Sequence, residues 1–361
     1  MSDTLLSDNA AIAALAERLS RAPYIALDTE FLRERTYRPQ LCLLQVATPD
    51  EATLIDPIAA TSLSALARVL TDGSIPKIVH AARQDLEVLW PVFGSIHPVF
   101  DTQIAASLAG MPAQVGYSEL VRRLFGVELN KAETRTDWSR RPLTAAQLRY
   151  AVDDVRHLAA LRDALVERLR ELGRLDWLEE DLRDLGAPAR LFVDPETAVD
   201  RLRWHGELDP DRARLAQRLA AWRERRASDR DRPRSWILDD AGLRAMVLRP
   251  PRTAAELAAL TELPAGFVEH SGAEMLRIVS EAQLPDELPA LAQRERPDPA
   301  LLARVKRLGS VLQQKAAALS ITPEVLATRR ELESIARGNH NVDVLRGWRR
   351  AVLGEALLEA T

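Results

Sequence analysis

Cysteine is almost absent from this sequence, since Cys42 is the only one among 361 residues. One cysteine cannot form a disulfide framework within the chain or a cysteine-based zinc cluster. The composition therefore fits a reducing compartment and predicts a cytoplasmic protein. Cys42 itself lies in an apolar stretch, where we expect it to pack.

Long hydrophobic runs and a targeting segment are also lacking. The apolar runs are short and interrupted by charge, so we expect no transmembrane helix. The opening residues MSDTLLSDNA lack a basic region followed by an apolar core, so we expect no signal peptide. The motifs G-x-x-x-x-G-K-[ST], G-x-S-x-G and H-E-x-x-H do not occur, which leaves phosphate-loop helicases, serine hydrolases and zinc proteases without support.

What the sequence does contain is enough apolar material for a sizeable core. Hydrophobic residues make up 47% of the chain, and its length suggests two or three domains. The net charge of −4 neither favours nor excludes nucleic acid, because charges can segregate. They do so locally, since the segment Asp211–Arg234 is rich in arginine.

The first half of the chain mixes strand and helix patterns. SDNAAIAALAERLS predicts a helix capped by Ser7 or Asp8, and YIALDTEF, LCLLQVAT and EATLIDP predict three strands in an antiparallel meander. SLSALARVLTD predicts a helix, PKIVHAA a fourth strand followed by a helix from about Gln84, and VFDTQIAASLAG a short strand entering a helix. One long helix should begin at Thr144, whose side chain can cap it, and continue to Gly173. This order predicts an α/β domain with a mixed sheet over residues 1–172.

The second half is predicted to be helical. From about Asp176 the strand pattern disappears, and two stretches resemble each other loosely. We therefore expect a connector over residues 173–207 and two small all-α domains, at 208–284 and 297–361.

Five residues are candidates for catalysis. Asp28 and Glu30 should lie on one face of a strand, because side chains alternate, and two such acids repel each other unless a cation separates them. Asp85 follows a later strand, and Tyr150 and Asp154 share a helix face at a spacing of four. Each has an ordinary explanation: a solvated loop acid for Glu30, a helix-dipole partner for Asp85, and a surface acid beside a half-buried ring for Asp154 and Tyr150.

In combination these motifs resemble a known family. LDTEF, HAARQDLEVL and YAVDDV, with the connecting text RTYRPQLCLLQVA, FDTQIAA and KAETRTDWSRRPLTAAQLRYA, are similar to the four-acid 3′–5′ exonucleases. The match is with the tyrosine subclass and, within it, the ribonuclease D family. It covers nearly all of residues 20–170. It implies a ribonuclease-H-like fold, and the two helical stretches resemble the tandem helicase-and-RNase-D C-terminal (HRDC) modules of that family.

Carboxylates without histidine or cysteine suit Mg²⁺ or Mn²⁺, and two such ions about 3.5–4 Å apart can support phosphodiester hydrolysis. The resemblance implies that Asp28 bridges both ions, that Glu30 and Asp154 help hold one, and that Asp85 serves the other through water. It implies that Tyr150 orients or deprotonates the attacking water. An ordinary tyrosine pKa of about 10 favours orientation.

Substrate contacts are predicted for Thr29, Phe31, His80 and Arg141. Phe31 could stack on terminal bases or pack in the core, and the side chain of Thr29 should point away from the metals, which leaves its backbone for the nucleotide. His80 could equally pack beside its strand. Arg135, Trp138 and Arg141 could line the substrate path, or Trp138 and Pro142 could anchor their loop.

The function that the resemblance implies is trimming of tRNA-precursor 3′ ends and other structured RNAs to 5′-mononucleotides. The sequence carries no clear signal for oligomerisation, so we expect a monomer. Two alternatives stay open: a 3′–5′ DNA exonuclease with the same metal site, and a catalytically silent RNA-binding protein. Intact acids at every site position argue against the silent protein.

Overall fold

A computed structural model of the chain describes residues 5–130, 136–285 and 298–361. These residues form two compact units. The first comprises the described parts of residues 1–32, 41–191 and 297–361, and the second comprises residues 33–40 with the described part of 192–296. No helix in the described ranges is both long enough and apolar enough to cross a bilayer.

The first unit is built on a six-stranded sheet. The strands are β1 (Leu5–Leu6), β2 (Ile25–Leu32), β3 (Gln40–Ala47), β4 (Ala52–Ile55), β5 (Lys77–Val79) and β6 (Val99–Asp101). Their order in the sheet is β1-β4-β3-β2-β5-β6, so β2 lies in the interior. β3 and β4 are antiparallel, whereas β1 runs parallel to β4, and β5 runs parallel to both β2 and β6. The predicted mixed sheet and all five predicted strands are confirmed; β1 was not predicted.

The helices follow in chain order. They are α1 (Asn9–Leu19), α2 (Ser64–Leu70), α3 (Arg83–Phe93), α4 (Thr102–Leu108), α5 (Tyr117–Phe125), α6 (Ala145–Arg156), α7 (Leu158–Glu171), α8 (Leu175–Leu182), α9 (Pro188–Leu191), α10 (Pro210–Arg230), α11 (Arg234–Ile237), α12 (Asp240–Leu248), α13 (Ala254–Ala258), α14 (Phe267–Glu281), α15 (Pro299–Leu319), α16 (Pro323–Leu326), α17 (Arg329–Ala336), α18 (Gly347–Arg349) and α19 (Glu355–Glu359). Short 3₁₀ helices occupy Pro195–Arg201, His205–Glu207 and Asp343–Leu345, and a π-helical turn occupies Arg350–Gly354. In the described part of the second half every regular element is helical, as expected.

One predicted helix is divided in the structure. The sequence predicted a single helix from Thr144 to Gly173, but α6 ends at Arg156 and α7 begins at Leu158. The Tyr117 hydroxyl causes the break, because it donates to the Asp153 carbonyl (2.8 Å) and accepts from the His157 N–H (3.2 Å). These two backbone groups would otherwise bond to each other, so an inserted side chain interrupts the helical hydrogen-bond ladder.

A large core of the first unit joins distant parts of the chain. Buried residues of α4, α5 and α7 form one cluster with buried residues of α15, α17 and α19. Ala105, Leu161, Leu308, Ile335 and Leu357 are all fully buried members of it. Residues 298–361 therefore pack into the same unit as the sheet.

This packing is reinforced by a stack of aromatic and cationic side chains. The rings of Trp177 in α8 and Trp348 in α18 stack with centroids 4.4 Å apart and planes 6° apart. Arg174 lies over Trp177 and Arg349 over Trp348, at 5.3 and 4.3 Å from the ring centroids. Arg349 also donates to Asp181 of α8 at 2.6 Å, so charge and stacking fix the same contact.

The second unit has its own core around α10. Leu215, Leu219 and Trp222 of that helix pack with Met246 of α12 and Met275 of α14, and all are buried. The helix begins at Pro210 because the Asp209 side chain accepts from the N–H groups of Asp211 and Arg212, which is an N-cap followed by proline.

Candidate active site

Three carboxylates meet at the junction of strand β2 and helix α6. Asp28, Glu30 and Asp154 each place one carboxylate oxygen within 4.8 Å of the other two. Asp28 and Glu30 lie on one face of β2, as alternation requires, and the apolar part of that strand, Ile25 to Leu27, is buried. All three acids are partly buried.

Helix α6 is fixed by its cap and by its apolar face. The Thr144 hydroxyl accepts from the Gln147 N–H, while the Gln147 side chain accepts from the Thr144 N–H (2.8 Å), which completes a capping box. The predicted cap is therefore confirmed. Ala151, Val152 and Val155 are buried, which leaves Asp154 on the face of the acidic group.

Tyr150 and Asp154 are paired as their spacing suggested. The Tyr150 hydroxyl donates to the Asp154 carboxylate, which opposes the rise in the pKa of that acid. The Tyr150 ring lies 6.0 Å from the ring of the buried Trp138, at a tilt of 35°. Asp153, the neighbouring acid, instead pairs with Arg156 at 3.3 Å.

Asp85 lies in the first turn of α3 and is buried. It is not one of the three mutually close carboxylates, and its Oδ1 accepts from the Thr29 hydroxyl at 2.5 Å. Its charge nevertheless raises the pKa of both Asp28 and Glu30, so it belongs to the same electrostatic group. Thr29, which the sequence placed on the opposite face of β2, therefore connects the site strand to Asp85.

Burial raises the pKa values of all four acids, and nearby carboxylates raise them further. Burial is the largest cause, and it raises the pKa of Glu30 to about 8 and those of Asp85 and Asp154 to about 7. The pKa of Asp28 rises well above its usual range through burial, then through Asp85, Asp154 and Glu30. Carboxylate oxygens that bring this much negative charge into a buried site are suited to bind a hard divalent cation.

One residue that sequence reasoning missed holds the turn before Asp85. The Asp101 carboxylate accepts from the N–H groups of Ala81 (3.1 Å) and Ala82 (2.8 Å) and also caps α4. Ala81 has φ of 56°, a left-handed conformation that costs free energy in a non-glycine residue. Asp101 offsets that cost and so positions the start of α3. The FDT segment, an acid between a strand and a helix, was the available signal.

His80 and Arg141, which were predicted to contact the substrate, are bonded to other groups of this chain. His80 Nε2 donates to the Val115 carbonyl (3.0 Å), its Nδ1 lies 2.9 Å from Thr102 Oγ1, and burial lowers its pKa. Arg141 forms a bidentate ion pair with Asp56 (2.6 and 2.7 Å). Their contacts with RNA stay predictions.

Phe31 directly follows Glu30 on β2 and is partly exposed, so its predicted contact with RNA also stays open. Trp138 is buried, in keeping with an anchoring role. Arg135 lies outside the described residues.

The sequence is similar to those of known nucleases. A 3′–5′ exonuclease domain model matches residues 4–170, and an HRDC domain model matches residues 212–279. The ribonuclease D of Nitrobacter hamburgensis is 39% identical, over 98% of this chain and 94% of its own length. The chain belongs to the ribonuclease D family. The ribonuclease D of Granulibacter bethesdensis is 40% identical over 99% of this chain and 92% of its own.

A solved member of the ribonuclease D family has the same fold. The crystal structure of Escherichia coli RNase D, described as an exoribonuclease involved in structured RNA processing, superimposes with a TM-score of 0.86 at 33% identity. The match covers 100% of this chain and 98% of that one. The present chain is therefore a metal-dependent 3′–5′ exoribonuclease, and the predicted fold and enzyme class are confirmed.

Proposed function

We propose that this enzyme trims the 3′ ends of tRNA precursors and of other structured RNAs, one nucleotide at a time, to 5′-mononucleotides. The observation that carries the proposal is the convergence of Asp28, Glu30 and Asp154, with Asp85 beside them, in a chain similar to ribonuclease D along almost its whole length. The description of the Escherichia coli enzyme, which names structured RNA, supports the same substrate class.

We further propose that the site takes two divalent cations, Mg²⁺ or Mn²⁺. Asp28, Glu30 and Asp154 would hold one, and Asp28 with Asp85 would hold the other. When bound, such ions favour ionisation of water and stabilise negative charge on the leaving 3′-oxygen. The raised pKa values of all four acids support this assignment, because a bound cation stabilises the ionised carboxylates that burial and nearby negative charge disfavour.

Tyr150 would orient the attacking water through its hydroxyl, as in the tyrosine subclass of these nucleases. Its hydrogen bond to Asp154 supports that role, because it holds the hydroxyl at the carboxylate group. Phe31, which follows Glu30 on the same strand, would contact the terminal base.

The helical regions would add contacts to the RNA backbone. Residues 212–279 match the HRDC domain, and α10 carries many arginines. We propose that residues 298–361 are a second, more divergent module of that kind. Cytoplasmic location and a monomeric state complete the proposal.

The test is a gel assay of single-nucleotide products. A 3′-tailed tRNA-like RNA and a single-stranded DNA are compared in Mg²⁺, Mn²⁺ and EDTA, with Asp28→Asn as the inactive control. We expect stepwise shortening of the RNA from its 3′ end with either metal, none in EDTA, and none with the variant. Preferred degradation of DNA would favour a DNA exonuclease, and binding without shortening would favour a silent RNA-binding protein.

A further inference from the structure

The connection between β2 and β3, residues 33–39, belongs by its contacts to the second, helical unit. It is continuous with the site strand, because β2 ends at Leu32, two residues after Glu30. At roughly 3.3–3.6 Å per residue, Arg33 can lie at most about 11 Å from Glu30. Whatever holds this connection therefore acts on the chain that leaves the catalytic acids.

A buried carboxylate on α10 holds the middle of the connection. Glu224 is only 2% exposed, and its Oε1 accepts from the Tyr37 hydroxyl at 2.5 Å. Arg234 donates to the same carboxylate through Nη2 (2.5 Å) and through Nε. The Arg234 guanidinium also lies 4.8 Å from the centroid of the Tyr37 ring, so the three side chains form a closed cluster.

The protonation states suit this cluster. Burial alone would raise the pKa of Glu224, but hydrogen bonds from Arg234 and Tyr37 outweigh it and hold the pKa below its usual value. Burial and the contact with Glu224 raise the pKa of Tyr37 to about 12. Tyr37 therefore keeps its proton and remains a donor at neutral pH.

A second anchor lies next to the first. The Arg38 N–H donates to Asp231 (2.9 Å), and its guanidinium donates to the carbonyl and the hydroxyl of Ser228, both at 3.1 Å. Ser228 is in the last turn of α10, where carbonyls lack helical partners and a cation is favoured. Two consecutive residues of the connection are thus fixed to one end of α10.

We propose that Glu224 is a positioning residue for the exonuclease reaction: through Tyr37 it fixes the β2–β3 connection and so sets how productively the 3′ end of RNA is bound. It acts through another residue and takes no part in the chemistry. The inference rests on the proposed exonuclease function. An ordinary ion pair would contribute only to stability. Loss of the cluster of Glu224, Tyr37 and Arg234 should instead weaken substrate binding more than it slows turnover.

Kinetics on two substrates tests the proposal. We expect Glu224→Gln to raise KM for a 3′-tailed structured RNA by about tenfold, and Tyr37→Phe by about threefold, since the first removes a charged partner and the second one hydrogen bond. kcat should stay within about twofold of wild type for the RNA and for a small chromogenic phosphodiester. The double variant should be no worse than Glu224→Gln, because both act through one contact.

The matched control is Asp240→Asn. Asp240, on α12, forms an ion pair at 2.7 Å with Arg223, which neighbours Glu224 on α10. This variant therefore also removes a carboxylate that pairs with an arginine of the helical unit. It should leave KM unchanged. An equal rise in KM for the control would overturn the proposal in favour of general loosening of α10.

Limited trypsin digestion supplies a readout that needs no catalysis. Arg33 and Arg35 are exposed, and Glu224→Gln and Tyr37→Phe should speed cleavage after them by about tenfold or more, as the connection is released. Wild-type resistance in both variants, or faster cleavage with wild-type KM, would overturn the proposal. Inactive wild-type protein would instead overturn the proposed function, which the trypsin result does not depend on.

Discussion

Asp154, one of the acids proposed for catalysis, is held in a position that opposes stability at neutral pH. Its pKa in the folded protein is about 7, well above the usual value for an aspartate. The folded state therefore binds more protons than the unfolded state between about pH 4 and 7, and stability falls as pH rises through that window. Above pH 7 the full cost is present unless a cation offsets it.

We therefore expect Asp154→Asn to stabilise the metal-free protein. In EDTA at pH 8 the melting temperature should rise by at least about 2 °C, because a neutral amide removes the buried charge. The gain should shrink toward pH 4, where the wild-type carboxyl is protonated in the folded state and about half protonated in the unfolded state. Thermal unfolding at the two pH values measures it, and a lower melting temperature at pH 8 would contradict the electrostatic explanation.

If the acidic group holds metal as proposed, Asp154 and Glu30 should make metal binding depend on pH. Glu30, with a pKa of about 8, and Asp154 hold protons near neutrality, and a cation must displace them. We expect Mg²⁺ affinity to rise from pH 6 to pH 8 with release of protons. Calorimetry in two buffers of different ionisation enthalpy measures the release. An affinity that is constant over this range would show that the acids are already ionised.

Tyr150→Phe separates orientation of the water from metal binding. The variant keeps the ring against Trp138 but loses the hydroxyl bonded to Asp154. kcat should fall by about 10²-fold while the Mn²⁺ dissociation constant stays within about threefold. Product release from a labelled RNA gives the rate, and manganese titration gives the affinity. Full activity would remove Tyr150 from the reaction.

At the scale of single residues, the sequence indicated the acids better than the side chains that hold them in position. Asp28, Glu30 and Asp154 converge as expected, because strand alternation and helical spacing are local rules. The hydrogen bond from Thr29 to Asp85 and the cap formed by Asp101 depend on side-chain directions after the chain has folded. No spacing in the sequence contains that information.

At the scale of elements, the end of α6 depends on a residue from another helix. We expect Tyr117→Phe to let the His157 N–H bond the Asp153 carbonyl and to extend α6 into α7, because the hydroxyl between them is gone. Asp154 is adjacent to that carbonyl, so kcat should fall by about tenfold, with stability changed by only about 1 kcal/mol. Unchanged kcat would show that the break is not needed for catalysis.

Helix α5 and strand β1 were not predicted from the sequence. Helix α5 places Tyr117, Leu120, Val121 and Leu124 at helical spacing, so the pattern that indicates it was present in the sequence and was overlooked. Strand β1 has only two residues, too few for a periodic pattern. The longer elements, whose buried positions recur over two or more turns or pleats, were recognised.

At the scale of the whole molecule, the core shared by residues 298–361 and the sheet-bearing region could not be foreseen. The sequence boundaries at 173, 208 and 297 stay a prediction. Helical periodicity shows that a face is apolar but not which partner covers it. The cluster joining α7 to α15 supplies that partner within the first unit.

The Trp177–Trp348 stack tests how much this shared core contributes. Trp348→Ala should lower the free energy of unfolding by about 3–5 kcal/mol, because it removes a buried ring and leaves a cavity. The matched control is Trp236→Ala, since Trp236 is 56% exposed, and its cost should be below about 0.5 kcal/mol. Denaturant titration compares the two. Equal costs would mean that the stack is not a structural contact.

The shared core also has a consequence for how the enzyme is made. Residues up to Leu191 leave the ribosome well before the helices that complete their core, which end with Leu357. At about 5–20 residues per second the delay is roughly 10–30 s. During that interval the nascent chain exposes the apolar faces of α4, α5 and α7. We therefore expect the nuclease to mature only after residues 298–361 have been synthesised, a timing that would limit its access to ribosomal RNA.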